Sequence, residues 1–331
     1  MPEATVAHDL PRRQHQALIV LRYRAETMMI SEEVVEFESQ GATLRGLLLF
    51  GGHAAGPQPL VVMAHGTSAT IQMVAIDYAR CFAHAGLNVL LYDHRNFGAS
   101  GGEPRCEINP WVQCRGYVDA ISFAEKLPQV DANQIGIWGE SFSGSHVVLV
   151  AACDRRVRCV VAQTPSLGAT QPDLPPSQEV FERLQETLRH GDVRGGPDCT
   201  VGPLPVVSFD PESVPSLLHP IQAFRWFIDF GGRPGSRWVN RATRVLPKTP
   251  VPYSAYLCAP FLSAPTLFTV ALDDEMPGAN PRVARQVYEL IPGNKQWNEI
   301  SGGHFGLLYP DGVLFRQAAD AATAFLRQHL F

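Results

Sequence analysis

The sequence predicts an α/β protein with a mostly parallel, doubly wound sheet of eight strands and an inserted cap. Three observations predict it. Short apolar runs alternate with amphipathic stretches, the order that builds βαβ units and a parallel sheet. Several runs are continuously apolar and end near glycine, as strands buried on both faces do. The rhythm stops after Thr164-Pro165 and resumes near residue 264, and Leu167 to Cys258 holds 13 of the chain's 27 prolines.

The elements follow in order. Residues 32–39 alternate with period two, and 42–50 follow across Gly41 as the antiparallel partner, forming one edge of the sheet. "PLVVMAHG" (59–66) is the first buried strand, and 71–86 has helical spacing that stops at Gly86. A strand over 87–95, a helix over 111–128, a strand over 134–141, a helix over 144–153 and a strand over 158–165 continue the alternation. The helix over 144–153 is apolar all round and should be central. Within the insert, 177–191 reads as a helix with Ser177 as N-cap and Gly191 as its end, and 221–232 as a second; loops make up the remainder. The alternation resumes with a strand (264–272), a helix (280–293), a strand (295–301) and a closing helix (314–331). The division expected is an N-terminal arm (1–30), a core (31–166 and 259–331) and a cap (167–258) over the carboxyl edge of the sheet.

Composition narrows the function. Of 331 residues, 45% are hydrophobic and 18% charged, enough to bury a sizeable core. A formal charge of −5 with no basic patch argues against nucleic acid and anionic membranes as partners. No stretch approaches the roughly 18 apolar residues of a membrane span. The N-terminal apolar run, Ala17 to Leu21, is shorter than a signal core of at least about 7 residues. Seven cysteines without a CxxC pair read as free thiols in a reducing compartment, so the protein is expected in the cytoplasm with no cysteine-built metal site. The arm either docks on the core or reaches a partner chain, which is compatible with a homodimer.

The chemistry starts at "IGIWGESFSGSH" (135–146). Ligands of open α/β sheets bind at the carboxyl ends of the strands. A serine set between small residues in a strand-to-helix turn has its hydroxyl held up into that cleft. Gly139-Glu140-Ser141-Phe142-Ser143-Gly144 has this shape, with Ser143 in place of the second glycine of G-x-S-x-G. Ser141 is therefore the candidate nucleophile, and the Phe142 N–H at the helix start a candidate oxyanion donor. Glu140 reads as a solvated or loop-bonding residue rather than a catalytic one.

A serine nucleophile needs a base, and the base an orienting acid. Of eleven histidines, His8 and His15 fall in the arm, His53 in a hairpin loop, His84, His146 and His329 in helices, and His190 and His219 in the insert. His65, His94 and His304 remain at strand ends. His65-Gly66 sets the loop after the third strand, with the Thr67 N–H as second oxyanion donor; His94 reads as structural or rim-lining. His304 follows the last strand behind two glycines and is the expected base. Asp274 is the expected acid and Asp273 its alternative. Phe224, Trp226, Phe227, Phe230, Tyr253 and Tyr256 of the insert either line an apolar substrate pocket or form the insert's own core. His65 and Phe305 are further candidate substrate contacts. Nothing implies a metal or organic cofactor.

With these residues in place the chain resembles the α/β-hydrolase superfamily. "MAHG", "YDHRNFGASGG", "GESFSG", "LDDEMP" and "GGHF" stand where that superfamily has its oxyanion loop, strand-four loop, nucleophile elbow, acid and histidine. "YDHRNFGASGGEPRCEINPW" and "WVNRATRVL" make it look most like the dienelactone-hydrolase-like branch, which includes fungal polyketide transferases, thiohydrolases and bacterial serine esterases. The insert's aromatics point to a small-molecule acyl substrate of apolar character. The resemblance implies an α/β-hydrolase fold and acyl transfer through an acyl-serine but does not fix the acyl group. It leaves open whether water or an alcohol or amine takes the acyl group. Dehalogenase and epoxide-hydrolase chemistry need an aspartate nucleophile, which Ser141 argues against. The complete serine–histidine–aspartate set argues against a mere binding module.

Overall fold

The structure is a computed structural model, and it describes residues 30–52 and 56–331. The expected N-terminal arm, apart from Ile30, lies outside the described residues, as does His53.

Eight strands form the main sheet: β1 (Ser31–Ser39), β2 (Ala42–Phe50), β3 (Gln58–Ala64), β4 (Asn88–Tyr92), β5 (Val130–Glu140), β6 (Val157–Gln163), β7 (Thr266–Ala271) and β8 (Lys295–Ile300). Their spatial order is β1-β2-β4-β3-β5-β6-β7-β8. β2 pairs antiparallel with β1 and β4, and all pairings from β4 to β8 are parallel. The hairpin turns on Gln40 and Gly41, both at positive φ (49° and 72°), the geometry whose twist matches that of the flanking strands.

Period-two geometry divides each central strand between two cores. Leu60, Val62 and Ala64 pack on one face of β3, and Val61 and Met63 on the other, all fully buried. Each large apolar side chain so buried contributes about 1.5–3 kcal/mol relative to exposure. One face is covered by helices α2 (Pro110–Ala124), α3 (Phe142–Cys153) and α6 (Pro281–Leu290), the other by α1 (Ile76–His84) and α7 (Val313–Leu330). Every residue of α3 from Ser143 to Cys153 is buried, as its all-round apolarity requires. β4 ends at Tyr92, three residues earlier than expected. There the Asp93 carboxylate accepts the N–H groups of Ile71 (3.0 Å) and Ala99 (2.8 Å) and turns the chain out of the sheet.

Between β6 and β7 the chain leaves the sheet. Helix α4 (Gln178–His190) begins where the Ser177 hydroxyl accepts the Val180 N–H at 3.2 Å. Its buried Phe181, Leu184 and Leu188 join the core that holds α2. Helix α5 (Ile221–Gly231) packs through Trp226, Phe227 and Phe230 into the opposite core. The excursion thus divides between two faces and is not a single cover. Its expected loops also contain strands. Thr200–Leu204 pairs with Ala242–Val245, which pairs in turn with Glu107–Ile108 from the loop after β4. No described helix is long and apolar enough to cross a membrane.

Candidate active site

The turn after β5 holds Ser141 at φ 55°, ψ −118°. A non-glycine residue rarely occupies that region, and its neighbours over-determine it. The Ser141 N–H donates to the Gln163 carbonyl (2.9 Å), and its own carbonyl accepts the N–H groups of Gly144 (3.0 Å) and Ser166 (2.8 Å). A Cβ on Gly139 would overlap the Ser143 carbonyl, and one on Gly144 would lie 2.8 Å from Pro165 Cα. These contacts are why the turn is built from small residues.

Ser143 is more than a tolerated substitute for glycine. Its Oγ donates to the His65 carbonyl (2.6 Å), so it must accept from His94 Nε2 (2.9 Å). Hydrogen bonding fixes both tautomers. His94 carries its proton on Nε2; His65 carries it on Nδ1, which donates to the Gly66 carbonyl (2.9 Å), while His65 Nε2 accepts the His94 N–H (3.2 Å). Burial lowers both histidines from the ordinary range, so both are neutral. His94 is thus structural, and His65 stands 1% exposed in this network, off the wall of the cavity described below. This corrects the expectation that His65 contacts substrate: its ring nitrogens are consumed by the loop itself.

The loop that carries His304 is held by two consecutive carboxylates. Asp274 Oδ2 lies 2.8 Å from His304 Nδ1, with both side chains almost fully buried. Glu275 takes the backbone instead, accepting the N–H groups of His304 (2.7 Å) and Phe305 (3.4 Å). Asp273, the alternative acid, is exposed. Burial pulls the His304 pKa down, but the charge and hydrogen bond of Asp274, helped by Glu140 and Glu275, outweigh it and raise it above the ordinary value. Among the described residues Nε2 has no hydrogen-bond partner, and neither has Ser141 Oγ.

Ser141, His304 and Thr67 line one cavity together with Trp226, Phe227 and Phe305. Its free volume is about 20 Å³, room for one or two waters. α5 forms one wall of it: the Trp226 indole N–H donates to the Leu308 carbonyl (2.9 Å), tying the helix to the segment that carries His304. Phe224 is off the wall and packs on Phe209, 5.7 Å between centroids. Tyr253 bonds Ser145 and His146 of α3, and Phe230 is buried under α5, so these two belong to structure rather than to the wall. Phe142 contributes its backbone: as the first residue of α3 its N–H has no intrahelical acceptor. Among the described residues no cluster suited to a metal ion occurs.

Of the two readings of Glu140, the loop-bonding one is observed: the residue is buried, and its Oε1 accepts the Gly66 N–H at 2.6 Å. Sequence reasoning missed two contributors, Glu275 and the Ser143 hydroxyl. The one available signal was the departure of "GESFSG" from strict glycine spacing.

An eight-stranded α/β sheet with a strained serine turn at its carboxyl edge, facing a carboxylate-bound histidine, defines a class of enzyme. Residues 61–316 match the sequence profile of the alpha/beta hydrolase family, and the chain belongs to that family. It is 29% identical over 316 residues to polyketide transferase claH of Penicillium crustosum, covering 91% of this chain and 99% of that one. It is 38% identical over 172 residues to a thiohydrolase of Eupenicillium brefeldianum, covering 51% of this chain and 54% of the other. Among solved structures, the alpha/beta hydrolase GrgF from Penicillium sp. sh18 superimposes with a TM-score of 0.66 at 24% identity, covering 91% of this chain and 99% of that one. An esterase of Pyrococcus furiosus, Pf2001, does so with a TM-score of 0.58 at 13% identity, each chain wholly covered.

Proposed function

We propose that the chain is a serine hydrolase that cleaves a carboxylic ester, lactone or thioester through an acyl-serine intermediate. One observation carries this reading: Ser141 in its strained turn and the Asp274–His304 pair meet on a single apolar cavity. His304 Nε2 takes the Ser141 proton as Oγ attacks the acyl carbon. Asp274 holds Nδ1 and stabilises the imidazolium. The N–H groups of Phe142 and Thr67 receive the developing oxyanion. The imidazolium then protonates the leaving alcohol or thiol, and water, activated by the same base, releases the acid. This requires Oγ within about 3 Å of Nε2 in the substrate complex, a contact that commonly tightens only on binding.

Acyl transfer to an alcohol or amine is the second reading. Its support is the similarity, over 91% of this chain, to a protein named as a polyketide transferase. The substrate in either case is a small molecule with an apolar acyl group, matched to Trp226, Phe227 and Phe305.

The test is a panel of p-nitrophenyl esters of rising chain length, run on wild type and Ser141→Ala with and without an added acceptor alcohol. The expected result is turnover by wild type and none by a folded Ser141→Ala. Undiminished turnover in the variant would end the reading, and ester product in place of acid would select acyl transfer.

A further inference from the structure

The residues on either side of the nucleophile grip one peptide group. Glu140 Oε1 accepts the Gly66 N–H at 2.6 Å, and the Ser143 hydroxyl donates to the His65 carbonyl at 2.6 Å. That carbonyl and that N–H are the two ends of a single peptide bond, which is planar and cannot turn one end without the other. The next N–H along the chain is that of Thr67.

Both grips are built rather than incidental. Glu140 is 6% exposed and Ser143 1%, so each bond forms where no bulk water competes. A Cβ at position 66 would lie 2.6 Å from Glu140 Oε1, so a side chain there would push the carboxylate off the N–H that it holds. The Ser143 hydroxyl is itself oriented by the proton of His94 Nε2, so its donation toward His65 is fixed. A glycine at 143 would leave the His65 carbonyl without this donor. Glu140 also lines the cavity beside Ser141, yet its carboxylate is engaged with the loop.

We propose that Glu140 and Ser143 are positioning residues that hold the His65–Gly66 peptide from both ends and thereby fix the Thr67 N–H against the carbon that Ser141 attacks. The inference rests on the acyl-serine reading above and adds a role that reading does not need. The nucleophile turn and the oxyanion loop lie more than 70 residues apart in sequence, 74 and 78 for the two bonds. The clamp makes them one rigid unit, so a displacement of the loop changes stabilisation of the oxyanion rather than binding of the ester.

The experiment compares Ser143→Ala, Ser143→Gly, Ser143→Thr, Glu140→Ala and Glu140→Gln with wild type on one p-nitrophenyl ester. It also measures the inhibition constant of a trifluoromethyl ketone, whose adduct with serine carries an oxyanion. Ser143→Ala, Ser143→Gly and Glu140→Ala should each lower kcat about 10- to 100-fold, less than the roughly 10²–10³-fold loss on deleting an oxyanion donor outright. KM should stay within about three-fold, and ketone affinity should fall by the factor lost in kcat. Ser143→Thr keeps a hydroxyl and Glu140→Gln an acceptor oxygen, and each should recover most of the loss. Where Glu140→Ala fails to fold, the alanine and threonine variants at 143 carry the test. The proposal is overturned if folded Ser143→Ala keeps kcat and ketone affinity within two-fold of wild type, or if the loss falls wholly in KM. Ser141→Ala is run alongside: activity retained there defeats the acyl-serine reading, whereas an inactive Ser141→Ala beside a fully active Ser143→Ala defeats the clamp alone.

Discussion

A histidine that serves as base must be neutral, and three carboxylates bear on His304. Asp274 binds Nδ1, Glu275 holds the backbone, and Glu140 lies across the cavity. Their combined field raises the His304 pKa against the opposing pull of burial. The sign follows: kcat/KM rises with pH through an apparent pKa above the peptide value of about 6.5. Asp274→Asn removes the nearest charge and the tautomer control. It should move that limb to lower pH and reduce kcat on the order of 10³–10⁴-fold, read from pH–rate profiles of both proteins. The convergence of Ser141 and His304 is legible in sequence because each follows a strand at the carboxyl edge, where the fold itself gathers side chains. The roles of Ser143 and Glu275 are not legible, and that of Glu140 is legible only as one of two alternatives. All three act on backbone N–H and carbonyl groups, which every residue but proline carries in the same form.

The central strands of the main sheet could be read as elements because both their faces are buried, which demands unbroken apolar runs such as Leu60 to Ala64, whereas the largely exposed edge strand β1 showed itself by its period-two alternation. The small sheet of the insert could not. Thr200–Leu204 mixes glycine and proline and is half-exposed, and one of its three strands comes from the loop after β4. Helix α5 was visible from its spacing, but its hold on the Leu308 carbonyl through Trp226 was not. Trp226 is also part of the cavity wall. Trp226→Ala removes the indole from the wall and from a core where it is 3% exposed, which should cost about 3–5 kcal/mol of stability. Surviving protein should shift its preference toward longer acyl esters, with KM for those esters falling relative to wild type. An unchanged chain-length profile would mean that α5 does not bound the acyl site.

Across the whole molecule, three neutral histidines sit in one buried network behind the Ser141 turn. The rings of His65 and His94 lie 4.8 Å apart, and those of His94 and His146 5.8 Å. Burial lowers all three, His146 to about 3. Below the unfolded value near 6.5 the unfolded chain takes up protons that the native state refuses. Stability is therefore fully present above that pH and falls as acid is added toward the folded values, by up to about 1.4 kcal/mol per pH unit per histidine. His304, shifted upward, acts in the opposite sense, its contribution being lost as pH rises through its raised pKa, and the buried carboxyls of Asp93 and Glu140, raised by burial, likewise oppose the acid loss. The contribution of one histidine is read by difference: the urea midpoint of His146→Gln, which can keep a hydrogen bond to Tyr253, should fall less between pH 6.5 and 4.5 than that of wild type. An equal slope in the variant would remove His146 from the account.

The most direct measurement is an acid quench during turnover of a p-nitrophenyl ester, followed by mass spectrometry of the peptide containing residue 141. The expected finding is the acyl mass on Ser141 in wild type, with its formation slowed by orders of magnitude in His304→Ala. Steady turnover with the acyl group on another residue, or rapid acylation without His304, would contradict the account.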